Sequence, residues 1–451
     1  MSQALNPATG EKLKNYPDYQ GPQVDLIIDE VHKAQQLWKQ KPLSERARMV
    51  GRLGEVLLEK KNKLAEVCTQ EMGKLLSESV AEVEKCASAC KYYAENAEKF
   101  LQDDVIKSDG SESFVTYQPI GLVLAIMPWN FPYWQVIRFA APALCAGNGA
   151  VLKHASNVPG CSLALEEVCK EVGLPFRSLL IPSKEVNRVI ENKKIAAVTL
   201  TGSTKAGKEV AAKAGECIKK TVLELGGSDA YLILKDADLN LAAKTLVKGR
   251  MMNAGQSCIS PKRLIIDQAI YDDFFKIVEA QMKDLKYGDP NDSKSSLGSM
   301  AREDLREELQ KQIDKTISQG GKCILGGKIP EGNGAFYPPT LLVNIKPGMT
   351  AFDEELFGPV VCLIPAKNEE EAIQFANLSD YGLGGGIFSQ DIQRAKKIAT
   401  DKLETGGVFI NDFLRSDPKL PFGGVKESGY GRELSFAGIK EFVNQKTVYI
   451  K

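Results

Sequence analysis

Residues 121–132 read Gly121-Leu122-Val123-Leu124-Ala125-Ile126-Met127-Pro128-Trp129-Asn130-Phe131-Pro132, an apolar run that ends on an asparagine between two prolines. A short aliphatic run stopped by proline predicts a buried strand over 121–128. The segments after this strand decide the fold. Residues 133–147 read as helix, 149–153 as strand, 160–172 as helix, and 179–182 as a short extended piece. A helix near 186–192, a strand at 196–201 and a helix at 205–214 continue the rhythm. Such alternation predicts an α/β protein with a mostly parallel sheet covered on both faces, its ligand site at the carboxyl ends of the strands. Asn130 stands at such an end. The flanking prolines stiffen the turn, so its amide N–H can be aimed at a reacting oxygen. Taken alone, an Asx turn is the favoured reading of the residue.

Upstream, 24–100 is helical in pattern: Ile27, Val31, Ala34 and Trp38 recur on one face, as do Met49, Leu53, Val56 and Leu57. Residues 101–119 change character, with a turn at Gly110-Ser111-Glu112-Ser113 and a strand at 113–117. This arm has no evident partner strand in its own domain, which makes it a candidate for oligomer contacts. Downstream a second α/β unit begins with a strand at 229–234. Helices are predicted at 239–252, 271–285, 305–319, 369–378 and 392–402, and a closing strand at 446–451.

A chain of 451 residues is too long for one ordinary core and implies two or three domains. Lysine plus arginine and aspartate plus glutamate balance at 58 each, so no nucleic-acid-binding surface is implied. The ten cysteines include no Cys-x-x-Cys pair, which argues against zinc and against a disulfide framework; Cys86 and Cys90, four apart on a helix, read as buried packing. Reduced thiols, with no basic and apolar leader and no membrane-length apolar run, give the expectation of a cytoplasmic protein. Only two histidines are present, His32 and His154, so a general base is to be sought among the carboxylates.

Five stretches could carry chemistry. Asn253-Ala254-Gly255-Gln256-Ser257-Cys258-Ile259-Ser260-Pro261-Lys262-Arg263 puts one cysteine at a junction between a helix and a strand. A thiol there can be partly exposed, its thiolate stabilised by backbone N–H groups; a free cysteine is more often a small core residue. Pro128 to Pro132 is the second. The third, Thr201-Gly202-Ser203-Thr204-Lys205-Ala206-Gly207, is a turn at a helix N-terminus that suits an anion but lacks the three-glycine dinucleotide fingerprint. In Leu223-Glu224-Leu225-Gly226-Gly227, a glutamate in an apolar strand is half-buried or buried, which raises its pKa toward that of a base; a surface edge is the alternative. Glu354 to Pro359 and Leu420 to Gly429 complete the set, and each in isolation fits a simple loop.

Together, in this order and across nearly the whole chain, these stretches resemble the NAD(P)-dependent aldehyde dehydrogenase family. The resemblance implies a Rossmann-type cofactor domain (1–100 and 120–226), an α/β catalytic domain (227–436) and a small β oligomerisation domain (101–119 and 437–451), assembled as a homodimer or homotetramer. By resemblance Cys258 is the nucleophile, Glu224 the general base, and Asn130 half of an oxyanion hole shared with the Cys258 N–H. Lys153 contacts the adenosine ribose, Gly202 and Ser203 the pyrophosphate, Glu355 the nicotinamide ribose, with Trp129 and Phe357 beside it. Glu433 is similar to a glutamate sometimes assigned to proton relay. Ser156, third after Lys153, stands where family members preferring NAD often carry glutamate. Serine removes its repulsion of a 2′-phosphate, so NADP is favoured, with NAD open. Arg138, eight residues after Asn130 among apolar neighbours, is placed to clamp a carboxylate bidentately. An arginine at this spacing resembles the succinic semialdehyde dehydrogenases, and Ser260 and Ser416 would add hydroxyl contacts. A broad-specificity aldehyde dehydrogenase is the alternative, and a cofactor-independent thiol hydrolase or a non-catalytic protein lies further off.

Overall fold

The computed structural model describes residues 2–451. The predicted strand forms over Leu122–Met127, and its side chains alternate between two apolar layers, as the period of two in an extended chain requires. Val123, Ala125 and Met127 face a core built with the helices Leu43–Glu59, Leu76–Phe100, Trp134–Cys145 and Pro159–Val172. Leu122 and Leu124 face a second core shared with Gly21–Trp38 and Thr204–Glu216. Burial on both faces explains why the strand is apolar throughout rather than alternating.

This strand lies inside a six-stranded sheet ordered Gly429–Tyr430, Lys220–Glu224, Ile195–Thr201, Leu122–Met127, Gly149–His154, Phe176–Ser178. Every pair is parallel except the first, where Gly429–Tyr430 returns from far along the chain and runs antiparallel, Gly429 opposite Glu224. A second sheet of seven strands holds Ala230–Ile233 and Arg263–Asp267 as neighbours near its centre, with only the edge strand Lys322–Leu325 antiparallel. The predicted strand–helix alternation is thus realised twice, in two sheets whose strand ends meet around residues 224–263.

The arm pairs with the C-terminal segment that the resemblance grouped with it. Glu112–Pro119 has a partner within its own chain: it pairs antiparallel with Val443–Ile450 over its full length, from Val443 opposite Pro119 to Ile450 opposite Glu112. Asp104–Val105 adds a third strand, so Val443–Ile450 ends the sheet, with Tyr449 and Ile450 exposed on it. Local pattern alone does not show this partner, which lies more than 300 residues away along the chain. Among the described residues no helix is long and apolar enough to cross a membrane.

One helix positions the rest of the site. Leu76–Phe100 turns Ser77, Glu78, Ala81, Glu82 and Lys85 toward a single cavity, the spacing of one helical face. Glu82 accepts hydrogen bonds from the Tyr133 and Trp134 N–H groups at 2.8 and 2.9 Å, capping from outside the helix that carries Arg138. Buried Lys74 pairs with Glu82 and balances its charge. Glu78 accepts from the Asn253 N–H at 2.8 Å and so fixes the loop leading to Cys258.

Candidate active site

The helix Leu239–Met251 stops short of Cys258, and the chain then passes through three consecutive left-handed residues, Asn253, Ala254 and Gly255, with φ of 55°, 50° and 73°. Such φ values are unfavourable for residues carrying a Cβ, and they persist here because the surroundings hold them. The Asn253 amide donates to the Asn130 carbonyl at 2.8 Å, and Gln256 accepts from the Ala301 N–H at 3.0 Å. Gly255 has no room for a Cβ, which would lie 2.1 Å from the Gly358 oxygen. The turn delivers Cys258 to the space between the two sheets.

Asn130 is oriented on both sides of its amide. Its Oδ1 accepts from the Phe131 N–H at 3.1 Å, and its Nδ2 donates to the Gln256 carbonyl at 3.1 Å. These two bonds distinguish oxygen from nitrogen and leave the second N–H available. Asn130 and Cys258 line one cleft of about 310 Å³ together with Trp129, Gly202, Ser203, Glu355 and Phe357. The Trp129 and Phe357 rings meet edge to face there at 5.7 Å.

Cys258 also lines a second, larger cavity of about 890 Å³ on its other side, whose wall includes Lys85, Trp134, Arg138, Ser260 and Ser416. The sulfur therefore stands where the two spaces meet. The half-buried sulfur has its pKa pushed up to about 12 by desolvation, opposed by Lys262 and Arg138 and reinforced by Glu355 and Asp229. The Lys262 ammonium donates to the Ser257 and Cys258 carbonyls at 2.9 and 2.6 Å and pairs with Glu355 at 3.0 Å. One lysine thus ties the thiol loop to the glutamate of the smaller cleft.

Glu224 ends its strand, buried, with neither carboxylate oxygen hydrogen-bonded. Its pKa lies well above the usual carboxylate range because of burial and then the negative charge of Glu433, with Arg138 pulling the other way. The side chain lies against Gly423, where a Cβ would come within 2.8 Å of Oε1, and it lines neither cavity that Cys258 lines. His154 is no competitor for the role of base: it is buried, hydrogen-bonded to the Pro132 carbonyl, and depressed to about 4 by that burial.

The three residues expected to meet the substrate carboxylate, Arg138, Ser260 and Ser416, all line the larger cavity. Arg138 is ion-paired to Glu433, donates to the Thr201 hydroxyl at 3.3 Å and lies over the Phe422 ring at 4.7 Å. The Ser260 hydroxyl is also committed, donating to the Ser257 carbonyl at 3.0 Å and accepting from Arg250. Ser416 differs from both. It accepts from Lys85 at 2.8 Å and from the Trp134 indole at 2.9 Å, which fills both lone pairs and leaves its own O–H as a donor.

A third cleft, about 560 Å³, is lined by Lys153, Ser156 and Asn157. Burial lowers the Lys153 pKa. Both amide atoms of Asn157 are buried without a hydrogen-bond partner, a costly arrangement unless something supplies one.

Comparison with known proteins adds an independent line. A sequence model described as the aldehyde dehydrogenase family matches residues 2–448. The chain belongs to the aldehyde dehydrogenase family. Within it, the chain is 44% identical to the Escherichia coli succinate semialdehyde dehydrogenase (NAD(P)+) over 449 residues, covering 99% of this chain and 97% of that one. It is 45% identical over 452 residues to Mycobacterium tuberculosis succinate-semialdehyde dehydrogenase (NADP+) 1, covering 99% of each. Its fold superposes on the crystal structure of the Streptococcus pyogenes succinic semialdehyde dehydrogenase in complex with NADP+ with a TM-score of 0.97. There the identity is 38% and the coverage 100% of both chains.

For this aldehyde dehydrogenase the structure gathers Cys258 and Asn130 with the residues of the smaller cleft, and sets Lys153 and Ser156 in their own. Sequence reasoning missed Lys85, Lys262 and Asn157. Only Lys262, inside the quoted stretch around Cys258, and Asn157, next to Ser156, left a trace; nothing in the spacing of the helix Leu76–Phe100 says what its inner face meets.

Proposed function

We propose that this chain oxidises succinic semialdehyde, or a similar short ω-carboxy aldehyde, to the acid with NADP, NAD being the second choice. The observation that carries the reading is the double exposure of Cys258: one sulfur faces both a cleft of cofactor-type residues and a cavity with cationic side chains in its wall. The relatives' names point to the same substrate and cofactor.

The residues present suit a dinucleotide. The unpartnered Asn157 amide, Lys153 and Ser156 would hold the adenosine end, with no acidic side chain at position 156 to repel a 2′-phosphate. Gly202 and Ser203, at the N-terminus of the helix Thr204–Glu216, would face the pyrophosphate, and Glu355 with Trp129 and Phe357 the nicotinamide half. When bound, the cofactor supplies the acceptor for the hydride.

The protein's own part begins with Cys258, whose thiol gives up its proton to solvent, attacks the aldehyde carbon as the thiolate and forms a thiohemiacetal. The free N–H of Asn130 and the Cys258 N–H stabilise the oxyanion, each contributing about 3 kcal/mol. Glu224 takes a proton from the water that hydrolyses the ensuing thioester; reaching it requires the side chain to turn away from Gly423. The cofactor domain (1–100 and 120–226), catalytic domain (227–436) and oligomerisation domain (101–119 and 437–451) are proposed accordingly. A homodimer or homotetramer would form through the three-stranded sheet that ends on Val443–Ile450. Ten free cysteines fit a cytoplasmic home.

Steady-state kinetics with succinic semialdehyde and with butanal, each with NADP and NAD, test the reading. Expected is a higher kcat/KM for the acidic aldehyde and for NADP. Equal kcat/KM for the two aldehydes favours the broad-specificity alternative, and no reduced cofactor with either refutes both.

A further inference from the structure

Resting on that reading, we propose that Lys85, with the Ser416 hydroxyl beside it, is the residue pair that receives the distal carboxylate of the substrate and so determines specificity. Along the inner wall of the larger cavity, most charges are already committed. Arg138 is ion-paired with Glu433, and Glu82 with Lys74. Glu78 is spent on the Asn253 N–H. Arg415, at the rim, pairs with Asp412 at 2.7 Å, and Lys244 and Lys248 are exposed. Among the described residues no carboxylate forms an ion pair with Lys85. Its ammonium has a neutral partner, the Ser416 oxygen at 2.8 Å, and lies over the Trp134 ring at 4.1 Å.

An ammonium has three donors, and only one of Lys85's is used by Ser416. The Ser416 oxygen in turn accepts from both Lys85 and Trp134, so its proton points elsewhere. Two donors therefore lie side by side on the wall of the cavity that holds the nucleophile, matching the two oxygens of a carboxylate. Trp134 fixes the geometry by stacking under the ammonium while holding the serine. A neutral aldehyde gives Lys85 nothing to pair with and leaves it the desolvation cost of the wall.

The same environment gives a pH signature. Burial, and next the positive charge of Arg138, lower the Lys85 pKa to about 8, while Cys86, Glu82 and Asp417 act in the opposite direction. Below this pH the charge that binds the carboxylate is present; as pH rises through it, the charge is lost. Bound substrate carboxylate holds the proton on, so the loss appears in KM of the acidic aldehyde.

The test measures kcat/KM for succinic semialdehyde and for butanal from pH 6.5 to 9.5 in the intact enzyme, Lys85→Met and Lys85→Arg, at saturating NADP. In Lys85→Met the ratio of the two kcat/KM values is expected to fall on the order of 10- to 100-fold, mostly through KM of the acidic aldehyde, as for loss of one charged hydrogen bond. In the native enzyme that ratio is expected to decline above pH about 8. Lys85→Arg should keep the preference and carry the decline beyond the range, because a guanidinium holds its proton. An unchanged ratio in Lys85→Met overturns the assignment while leaving the proposed reaction intact. If Lys85→Met does not fold, a decline that stays near pH 8 in Lys85→Arg overturns it equally. A native enzyme with no preference for the acidic aldehyde refutes instead the reading on which it rests.

Discussion

Arg138 and Glu433 form an ion pair almost wholly excluded from solvent, Nε of the guanidinium against Oε2 of the carboxylate, with Glu224 close enough to feel both charges. One cation is therefore shared, electrostatically, between two buried acids. Removing one member strands the other in a low-dielectric site, at a cost of about 3–5 kcal/mol. Glu433→Gln is accordingly expected to lower the thermal unfolding midpoint, and Glu433→Gln with Arg138→Met to recover much of the loss. Melting curves of the two variants, read by circular dichroism, check this; equal losses in both would show that the pair is not the unit.

Glu224 illustrates a cost carried for function. Its raised pKa means that the folded state favours the protonated form, so its stabilising contribution is complete below the unfolded carboxylate pKa of about 4.3 and disappears as pH climbs through the folded value. Glu224→Gln, which has no proton to lose, is expected to be more stable than the native protein at pH 8, by about 1.4 kcal/mol for each pH unit between the unfolded carboxylate pKa and the lower of pH 8 and the folded value. The gain should shrink toward pH 4. The same variant is expected to give one burst of reduced cofactor per site and then stall, because thioester hydrolysis lacks its base. Melting curves against pH, together with stopped-flow absorbance, track both.

The resting Cys258 thiol is held up at about 12 chiefly by burial, and Lys262 is the largest influence lowering it. Alkylation of the free enzyme by iodoacetamide is thus expected to speed up with pH through pH 9.5 without a plateau. Lys262→Met should alkylate more slowly at every pH, by roughly three- to tenfold, since thiolate fraction controls the rate. Mass spectrometry of the Cys258 peptide against time gives the rates; a plateau near pH 7 would mean that the thiol is already ionised at rest.

What the sequence made legible was whatever depends on local pattern. The apolar strand at 122–127, the turn at Asn130, the helix-to-strand junction around Cys258 and the buried glutamate at the end of 220–224 each arise from a few adjacent residues. What remained hidden depends on pairing across the chain. From local pattern Arg138 looked free because its partner, Glu433, comes from the far end, and the arm at Glu112–Pro119, grouped with 437–451 only by the family resemblance, looked unpaired for the same reason. Lys85 drew no notice in the sequence, since spacing fixes which residues share a face but not what that face meets. The left-handed backbone of Asn253 and Ala254 was illegible in another sense: alanine has no preference for that conformation, and only the tertiary contacts of Asn253 impose it.

Ser156 sits with Lys153 in the cleft proposed for the adenosine end. Ser156→Glu would place a negative charge where a 2′-phosphate must lie, and like charges brought together cost several kcal/mol. The variant is expected to lose at least about tenfold in kcat/KM with NADP and to change less than about threefold with NAD. Parallel kinetics with both cofactors decide; equal losses would point to a disturbed cleft rather than to repulsion.

Gly255 is the point at which fold and chemistry are least separable. Its φ of 73° and the 2.1 Å approach of a built Cβ to the Gly358 oxygen exclude any side chain without movement of one of the two loops. The left-handed penalty alone is roughly 1–2 kcal/mol for a residue with a Cβ. Relief of the clash must displace either Gly358, next to Phe357 of the smaller cleft, or the turn that carries Cys258. The overall core is untouched by either shift, whereas a displacement of about 1 Å at a reacting centre costs on the order of 100-fold in rate. Gly255→Ala is therefore expected to retain its secondary structure, melt somewhat earlier, and lose roughly 100-fold in kcat with both acidic and neutral aldehydes. A variant with the native kcat would mean that the loop at Gly358 yields freely and that the left-handed turn is not what aims the sulfur.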